Sequence, residues 1–251
     1  MSAKFSPARS KRVLCAALLT GALCAFGISQ SSGLSVLFSE SFDDDLVGAT
    51  PANLAVSNKL TITNSMGTIV GTTTGDRSSV VVVPSITGVG NALRLADRAS
   101  GVTGYAAVQF TPTTLSPTMS RFNANFVLTP VDDGTTSFTC GIIDNEVTPG
   151  SGRIGKLTFL PNRKLALNDK SIPVSYETGH RYAVEMSSTK VGPLWMWGVS
   201  IVDLTTNTPL FMDVGLAPED LTAEPAALYM GTSNPGRGTF DIDAVELSGT
   251  L

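Results

Sequence analysis

Histidine and cysteine are scarce in this chain. His180 is the only histidine among 251 residues, which excludes a zinc site built from several histidines and leaves any histidine-dependent proton transfer to one side chain. Of the three cysteines, two lie in the first 31 residues, so only Cys140 remains beyond them and no disulfide can form there. Stability must then come from packing, with a bound ion as a further candidate.

Basic residues are also few. Four of the 17 Lys and Arg lie in the first 31 residues, which hold none of the 21 Asp and Glu, so the remaining 13 basic residues leave a net charge of −8. No basic cluster occurs there. This argues against a nucleic acid partner and against an anionic membrane surface. The sequence also has no G-x-S-x-G motif and no phosphate-cradling loop, which excludes the enzyme classes built on them.

The first segment differs from the rest. Four basic residues precede the apolar run Val13 to Ile28, and the small polar residues SQSSG follow. This is the order of a secretory signal peptide, and at about 16 residues the run is shorter than the roughly 20 that a membrane helix needs. We predict a bacterial signal peptide over residues 1–31 and export to the periplasm, the cell surface or the medium, with an uncleaved anchor as the alternative.

Beyond residue 31, apolar and polar residues alternate in short runs bounded by Gly, Pro, Asn and Asp, and no stretch has a sustained period of 3.6. The pattern predicts an all-β fold, as one domain over residues 32–251. About fourteen strands suit an antiparallel β-sandwich of two large sheets about 10 Å apart. The candidate strands are Val36–Phe42, Leu60–Thr63, Val80–Pro84, Ala92–Ala96, Tyr105–Phe110, Arg121–Thr129, Thr136–Ile143, Gly155–Leu160, Leu165–Leu167, Arg181–Ser187, Trp195–Asp203, Pro209–Asp213, Ala226–Gly231 and Thr239–Leu247.

Five segments together carry a family resemblance: FSESFD, GNALRLAD, GKLTFLPNRKLALND, VSYETGHRYAVEM and FDIDAVEL. In GKLTFLPNRKLALND, a Pro-Asn turn between two alternating runs predicts a hairpin. Over most of Val36 to Leu247 the chain resembles the concanavalin A-like lectin/glucanase superfamily, including its laminin G-like jelly rolls. The resemblance implies a jelly roll and leaves the activity open, because this sandwich carries lectins, glycosidases, lyases and adhesive modules.

Three acids lie in the last predicted strand: Asp241, Asp243 and Glu246. Their pattern, D-x-D-x-x-E, differs only at its first residue from the E-x-D-x-x-E motif of laminarinase-type glycosidases. The resemblance would make Asp241 the nucleophile, Asp243 its helper and Glu246 the acid. A retaining pair needs carboxyls about 5–5.5 Å apart, and aspartate at the first position widens that gap. The motif therefore argues weakly for catalysis.

The strand phase suggests a metal instead. Asp243 shares its phase with Val245, and Glu40 shares its phase with Phe38, so both acids are expected on apolar faces, where an unpaired carboxylate is costly. In sandwiches that this chain resembles, the first and last strands lie side by side and often hold calcium there. We therefore predict a structural Ca²⁺ at Glu40 and Asp243, completed by carbonyls and water. Acids that are solvated or paired with arginine are the alternative.

We predict a ligand-binding face on two neighbouring strands, Arg181–Ser187 and Trp195–Asp203. Trp195 and Trp197 suggest sugar stacking, although the phase of Trp197 favours the core. The opposite face carries Glu185 and Ser200, which are small and polar enough, with their neighbours, to line a shallow groove. The predicted ligand-binding residues are Glu185, Ser200, Trp195 and Arg153.

An enzyme remains the alternative on the same fold. It would need Glu185, His180 and Tyr182 to converge, and a lyase would add Tyr176 and Arg153 as base and carboxylate neutraliser. The Arg-x-Glu-x-Arg and Gln-x-His strands of lyases in the superfamily are absent. We therefore expect an exported, non-catalytic module that binds a polysaccharide or other glycan or acts as a surface adhesin. A structural envelope protein without a small ligand is the further alternative.

Overall fold

A computed structural model describes residues 33–51, 79–98, 106–112, 115–116, 118–144, 153–232 and 236–250, and the backbone of residues 58–64. The predicted signal peptide, residues 1–31, lies outside the described residues. Within the described ranges, no helix is long and apolar enough to cross a membrane. Residues Ser35–Leu251 form one compact unit.

The described part of the chain contains fifteen strands and no helix. The all-β prediction is therefore confirmed, and the paired strands run antiparallel. The strands are β1 (Leu34–Glu40), β2 (Asn58–Asn64), β3 (Ser79–Pro84), β4 (Asn91–Asp97), β5 (Ala106–Pro112), β6 (Arg121–Pro130), β7 (Phe138–Ile143), β8 (Arg153–Phe159), β9 (Lys164–Leu167), β10 (Lys170–Ser175), β11 (Tyr182–Val191), β12 (Leu194–Asp203), β13 (Thr208–Leu216), β14 (Ala227–Thr232) and β15 (Gly238–Thr250).

The strands form two sheets. The 8-stranded sheet has the order β13-β12-β11-β6-β15-β4-β3, with β1 also paired to β15, and the 7-stranded sheet has the order β10-β9-β8-β7-β14-β5-β2. The first and last strands thus pair, as the resemblance implied. Hairpins of consecutive strands form much of both sheets, whereas β15 and β14 near their centres pair only with strands that are distant in the sequence.

The core lies between the sheets and is rich in aromatic residues. Phe38 of β1 meets Phe110 of β5 with ring centroids 5.5 Å apart, and this pair links one sheet to the other. Trp197 of β12 is 1% exposed and packs on Gly155 of β8, where a Cβ atom would lie 2.1 Å from the indole Cδ2. The core position predicted for Trp197 is therefore confirmed, and Gly155 is required for the two sheets to approach there.

The predicted hairpin is present as β8 and β9, with Phe159 opposite Leu165. Its turn is closed by a hydrogen bond from the Leu160 N–H to the Lys164 carbonyl, 2.8 Å long. In contrast, the next strand, β10, was missing from the predicted strands. It contains Pro173 and lies at the edge of its sheet, the position where a strand tolerates the missing N–H of proline.

The predicted phase of Asp243 is wrong. Ala244 has φ +50, and between Asp243 and Glu246 the register of β15 against β6 shifts by one residue. This bulge inserts an extra residue, so that Val245 faces the core while Asp243 lies on the outer face of the sheet, opposite Val127 of β6.

Candidate functional site

A row of polar residues crosses the centre of the 8-stranded sheet. Glu185 of β11 lies opposite Ser200 of β12 on one side and opposite Asn125 of β6 on the other, and Asn125 lies opposite Glu246 of β15. Directly opposed residues of antiparallel strands project from the same face. Because Met186, the next residue of β11, is buried in the core, this row lies on the outer face. We call Glu246, Asn125, Glu185 and Ser200 the Glu185 row.

The two central side chains of this row have no partners. Among the described residues, Glu185 forms no hydrogen bond and no ion pair, and burial raises the pKa of its carboxyl. The Asn125 Oδ1 atom is fully buried and accepts no hydrogen bond. Buried polar atoms are normally satisfied, so the enclosed Asn125 Oδ1 is an exception, and beside it the Glu185 carboxylate is available to a donor.

The next row along the strands is also polar. Ser187 lies opposite Asn123, and Asn123 lies opposite Ser248. On the other side of Ser187 lies Gly198, which adds no side chain to this face. The polar surface therefore extends beyond the Glu185 row with small hydroxyl and amide groups, a composition suited to contacts with a hydroxylated ligand.

The three acids of the last strand share this outer face but have different environments. Asp241 is 4% exposed and accepts two hydrogen bonds of 2.8 Å from Arg94, a bidentate pair that raises the pKa of the guanidinium. Burial raises the pKa of Asp243, and a hydrogen bond from the Ala244 N–H and the charge of the nearby Arg181 partly offset this increase. Glu246 belongs to the Glu185 row. Because Asp241 is held by Arg94, its geometry favours a structural ion pair over the role of a nucleophile.

The predicted calcium ligands lie on the paired strands β1 and β15. The Glu40 carboxylate already accepts a hydrogen bond of 2.7 Å from the Phe42 N–H, and burial raises its pKa. In the part of the chain that the structure describes, no group of three or more His, Cys, Asp or Glu residues could hold a metal ion. The described acids therefore do not form a complete site, and calcium at Glu40 and Asp243 stays a prediction.

The four predicted ligand-binding residues are not all brought together. Glu185 and Ser200 are direct neighbours, whereas Trp195 faces inward and is 4% exposed, with the Lys190 Nζ 5.7 Å from its ring centroid. Its ring therefore offers no open face for stacking, because it shares the inward strand phase of Trp197. Arg153 lies on β8 of the other sheet, 4.0 Å from Glu219.

The residues of the enzyme alternative do not converge on one face. Tyr182 faces the core, its hydroxyl donating to the Glu177 carbonyl, whereas Glu185 lies on the outer face. The Tyr176 hydroxyl donates to the Leu160 carbonyl, and burial raises the pKa of both phenols to about 12. Tyrosines with such pKa values are poor general bases near neutral pH.

His180 is partly buried. Its Nδ1 lies 2.8 Å from the Asp203 carboxylate. Burial alone would raise the pKa of Asp203, but hydrogen bonds from His180 and from the Thr206 and Thr205 amides outweigh it and lower the pKa. The pair joins the turn before β11 to the last residue of β12, which is a structural role.

Asn125 and Glu246 were not predicted as members of a ligand face. One signal could have found Asn125: in β6, Asn123 and Asn125 alternate with the buried Phe122, Ala124 and Phe126, a pattern that places both amides on the outer face. That Glu246 joins the same row depends on strand pairing and on the bulge at Ala244, which alternation alone does not reveal.

Comparisons with known proteins give structural matches at low identity. The catalytic domain of a family 131 glycoside hydrolase from Coprinopsis cinerea matches with a TM-score of 0.50 and 11% identity, covering 84% of this chain and 93% of that one. A carbohydrate esterase from the Shiga toxin-encoding bacteriophage phi24B matches with a TM-score of 0.47 and 10% identity, over 87% and 100% of the two chains. Lectin I from Ulex europaeus, in complex with the methyl glycoside of α-L-fucose, matches with a TM-score of 0.46 and 10% identity, over 87% and 99%.

No family model matches the chain, and no curated protein matches it significantly by sequence. At 11% identity, the match to the glycoside hydrolase domain carries the fold and no residue roles. The two antiparallel sheets of this chain form a sandwich. The chain is a β-sandwich with the concanavalin A-like jelly-roll fold, as its sequence predicted.

Proposed function

We propose that the chain is an exported carbohydrate-binding module that holds a glycan on the outer face of the 8-stranded sheet without cleaving it. The observation that supports this most is the centre of the Glu185 row, where the Glu185 carboxylate has no partner among the described residues. A sugar hydroxyl is a donor that can satisfy this carboxylate. The fold is also that of a glycoside hydrolase domain, which makes a carbohydrate a consistent ligand class.

The surroundings of the row suit a sugar. Ser200 and Ser187 supply hydroxyls that donate or accept, and Asn123 supplies an amide. The row ends on β13 at Met212, opposite Ser200, and Met212 is among the exposed large apolar residues. An apolar side chain beside polar groups fits the alternation of hydroxyl and C–H surfaces on a sugar ring.

Two observations favour binding over catalysis. Asp241, the nucleophile that the glycosidase motif would require, is held by two hydrogen bonds from Arg94. Tyr182, which an active site with Glu185 would need, faces the core instead. The glycosidase motif therefore has its first acid occupied, and the Glu185 site has no tyrosine beside it, so neither of the two suggested mechanisms has its full set of groups on this face.

The test is a binding screen with product analysis. The protein, purified after expression of the full chain, is applied to an array of plant, algal and microbial polysaccharides, and every ligand is assayed for new reducing or unsaturated ends. We expect binding without new ends, and about tenfold weaker binding for Asn125→Ala, which removes the side-chain amide next to Glu185. Ser171→Ala, on the exposed edge strand β10, is the control. New chain ends, or equal binding by Asn125→Ala, would refute the proposal.

A further inference from the structure

Large apolar side chains are exposed on two neighbouring loops of the 8-stranded sheet. The first loop follows β1, and the second joins β3 to β4. Each such side chain forfeits the free energy that its burial would give, and monomeric proteins rarely expose several of them on one surface. We call this group the loop patch: Leu46 (77% exposed), Val47 (48%), Ile86 (54%) and Val89 (70%).

The two loops are held side by side. The Asn91 side-chain amide donates to the carbonyls of Phe42 and Asp45, both at 3.2 Å, and the Asn91 N–H donates to the Asp43 carboxylate at 2.8 Å. Gly90 lies so close to this carboxylate that a Cβ atom there would come within 2.2 Å of its Oδ1. The loop patch is therefore fixed in place before a partner arrives, which reduces the ordering cost of binding.

The first loop also closes the edge of the sheet. The Gly48 N–H donates to the Val82 carbonyl of β3, and the Val82 N–H donates to the Ala49 carbonyl, both at 2.8 Å. These backbone groups are thus not available to an added strand. A partner at this position has to contact the side chains of the loop patch.

Acidic residues border the loop patch. Residues 43–45 are three aspartates that directly precede Leu46, and the segments that hold both loops, 33–51 and 79–93, contain no Lys or Arg. Burial raises the pKa of the nearby Glu40, and the charges of two of these aspartates add to the increase. The charge around the loop patch is therefore complementary to a cation. A second copy at a two-fold contact would bring like charges together, and an anionic lipid surface would be repelled.

We infer that the loop patch docks a partner protein through a segment that combines apolar with basic side chains. Burial of the apolar side chains supplies affinity, and the aspartates select the basic partner and accelerate its encounter. The loop patch is separate from the Glu185 row, so this inference does not depend on the proposed glycan site. It gives the module a second, protein-binding surface.

Two short fluorescent peptides of equal leucine content serve as probes. One alternates leucine with lysine, and the other alternates leucine with glutamate. Their binding to the full chain is measured by fluorescence anisotropy at low and at high salt. We expect the lysine peptide to bind about tenfold more tightly or better at low salt, and this preference should shrink at high salt, which screens exposed charges.

Matched variants separate the loop patch from general attraction of a cationic peptide to an acidic protein. Leu46→Ser and Val89→Ser should each weaken binding of the lysine peptide about fivefold, and Asp44→Asn about threefold. Val214→Ser removes an equally exposed apolar side chain from the edge strand β13, and Glu224→Gln removes an exposed charge. Both controls should bind as the parent does, and thermal unfolding confirms that each variant is folded.

Three results would overturn the inference: no binding of the lysine peptide, equal binding of both peptides, or the same loss in Val214→Ser as in Leu46→Ser. Sedimentation and binding to phosphatidylcholine vesicles test the other occupants. A dimer, or vesicle binding, that Leu46→Ser abolishes would assign the loop patch to a second copy or to lipid and also overturn the inference. If no glycan binds while the peptide preference and its loss in Leu46→Ser are observed, the proposed function fails and this inference stands.

Discussion

Glu185 of β11 lies directly opposite Asn125 of β6, and among the described residues neither side chain forms a hydrogen bond. Other residue types at these two positions could satisfy each other, for example two serines whose hydroxyls form a hydrogen bond. Leaving a buried acceptor without a donor costs about 1–3 kcal/mol. Such a cost is typical of a surface whose groups are kept for a ligand rather than for stability.

The burial of the Glu185 carboxylate makes the stability of the protein depend on pH in a defined direction. Burial raises the pKa of Glu185 above its ordinary value of 4.5, so the folded state binds its proton up to a higher pH than the unfolded state does. The free energy of unfolding therefore falls as the pH rises from 4.5 through the raised pKa, and it stays lower at neutral pH.

Glu185→Gln should remove that loss. We expect the variant to be more stable than the parent at pH 7, by on the order of 1 kcal/mol, with the difference vanishing near pH 3, where the parent carboxyl is protonated in both states. Urea unfolding at several pH values measures the difference. Glu224→Gln, at an exposed carboxylate, should show no such trend, and a Glu185→Gln variant that is less stable at pH 7 contradicts the prediction.

The bidentate pair of Arg94 and Asp241 should be important for stability. Asp241→Asn leaves the guanidinium without its carboxylate, and because Arg94 is partly exposed we expect a loss of about 1–3 kcal/mol, below the range for a fully buried pair. Equilibrium unfolding gives the value. As a control, Asp133→Asn removes a carboxylate from an exposed pair with Arg163 and should change stability little. A loss of glycan binding without a loss of stability would instead assign Asp241 to the ligand site.

The contact between Gly155 and Trp197 predicts strong sensitivity to one methyl group. A Cβ at Gly155 would lie 2.1 Å from the indole, so Gly155→Ala forces the two sheets apart at that point and should cost about 2–3 kcal/mol. Unfolding followed by tryptophan fluorescence measures both the loss and the changed environment of Trp197. Gly198→Ala, where the nearest atom is 3.1 Å away, should cost less. Equal losses in the two variants would show that the close approach is not the cause.

The calcium prediction has its own test. If Glu40 and Asp243 share an ion, calcium should raise the melting temperature of the parent, and Asp243→Ala should lose that increase. In chelator the same variant should be as stable as the parent or slightly more stable, because burial already raises the pKa of Asp243 and its charge is costly without a partner. Identical melting curves of the parent protein with calcium and with chelator would show that the calcium prediction is wrong.

Alternation of apolar residues predicted nearly all strands, because burial against the second sheet imposes a period of two wherever a strand forms. The one strand that was missed, β10, has its pattern interrupted by Pro173. The candidate site was less predictable. Glu185 and Ser200 follow from phase within their own strands, whereas Asn125 and Glu246 join them through pairing between residues that are 60 or more positions apart in the chain.

The bulge at Ala244 is a second feature that the sequence did not predict. A residue with positive φ outside glycine has no clear signature in the sequence, yet it reverses which face Asp243 occupies. An assumption of unbroken alternation placed that acid in the core and thereby suggested a metal. The error is local, since Val245 and Leu247 still face inward as predicted.

Strand β15 lies in the middle of its sheet, between β4 and β6, and also pairs with β1. A ribosome makes this strand after every other one that the structure describes, so the 8-stranded sheet stays incomplete until β15 has been synthesised. Until then β4 and β6 each expose an unpaired side. The two halves of this sheet, one formed by β3 and β4 and the other by β6, β11, β12 and β13, are therefore joined by the strand that is made last among those described.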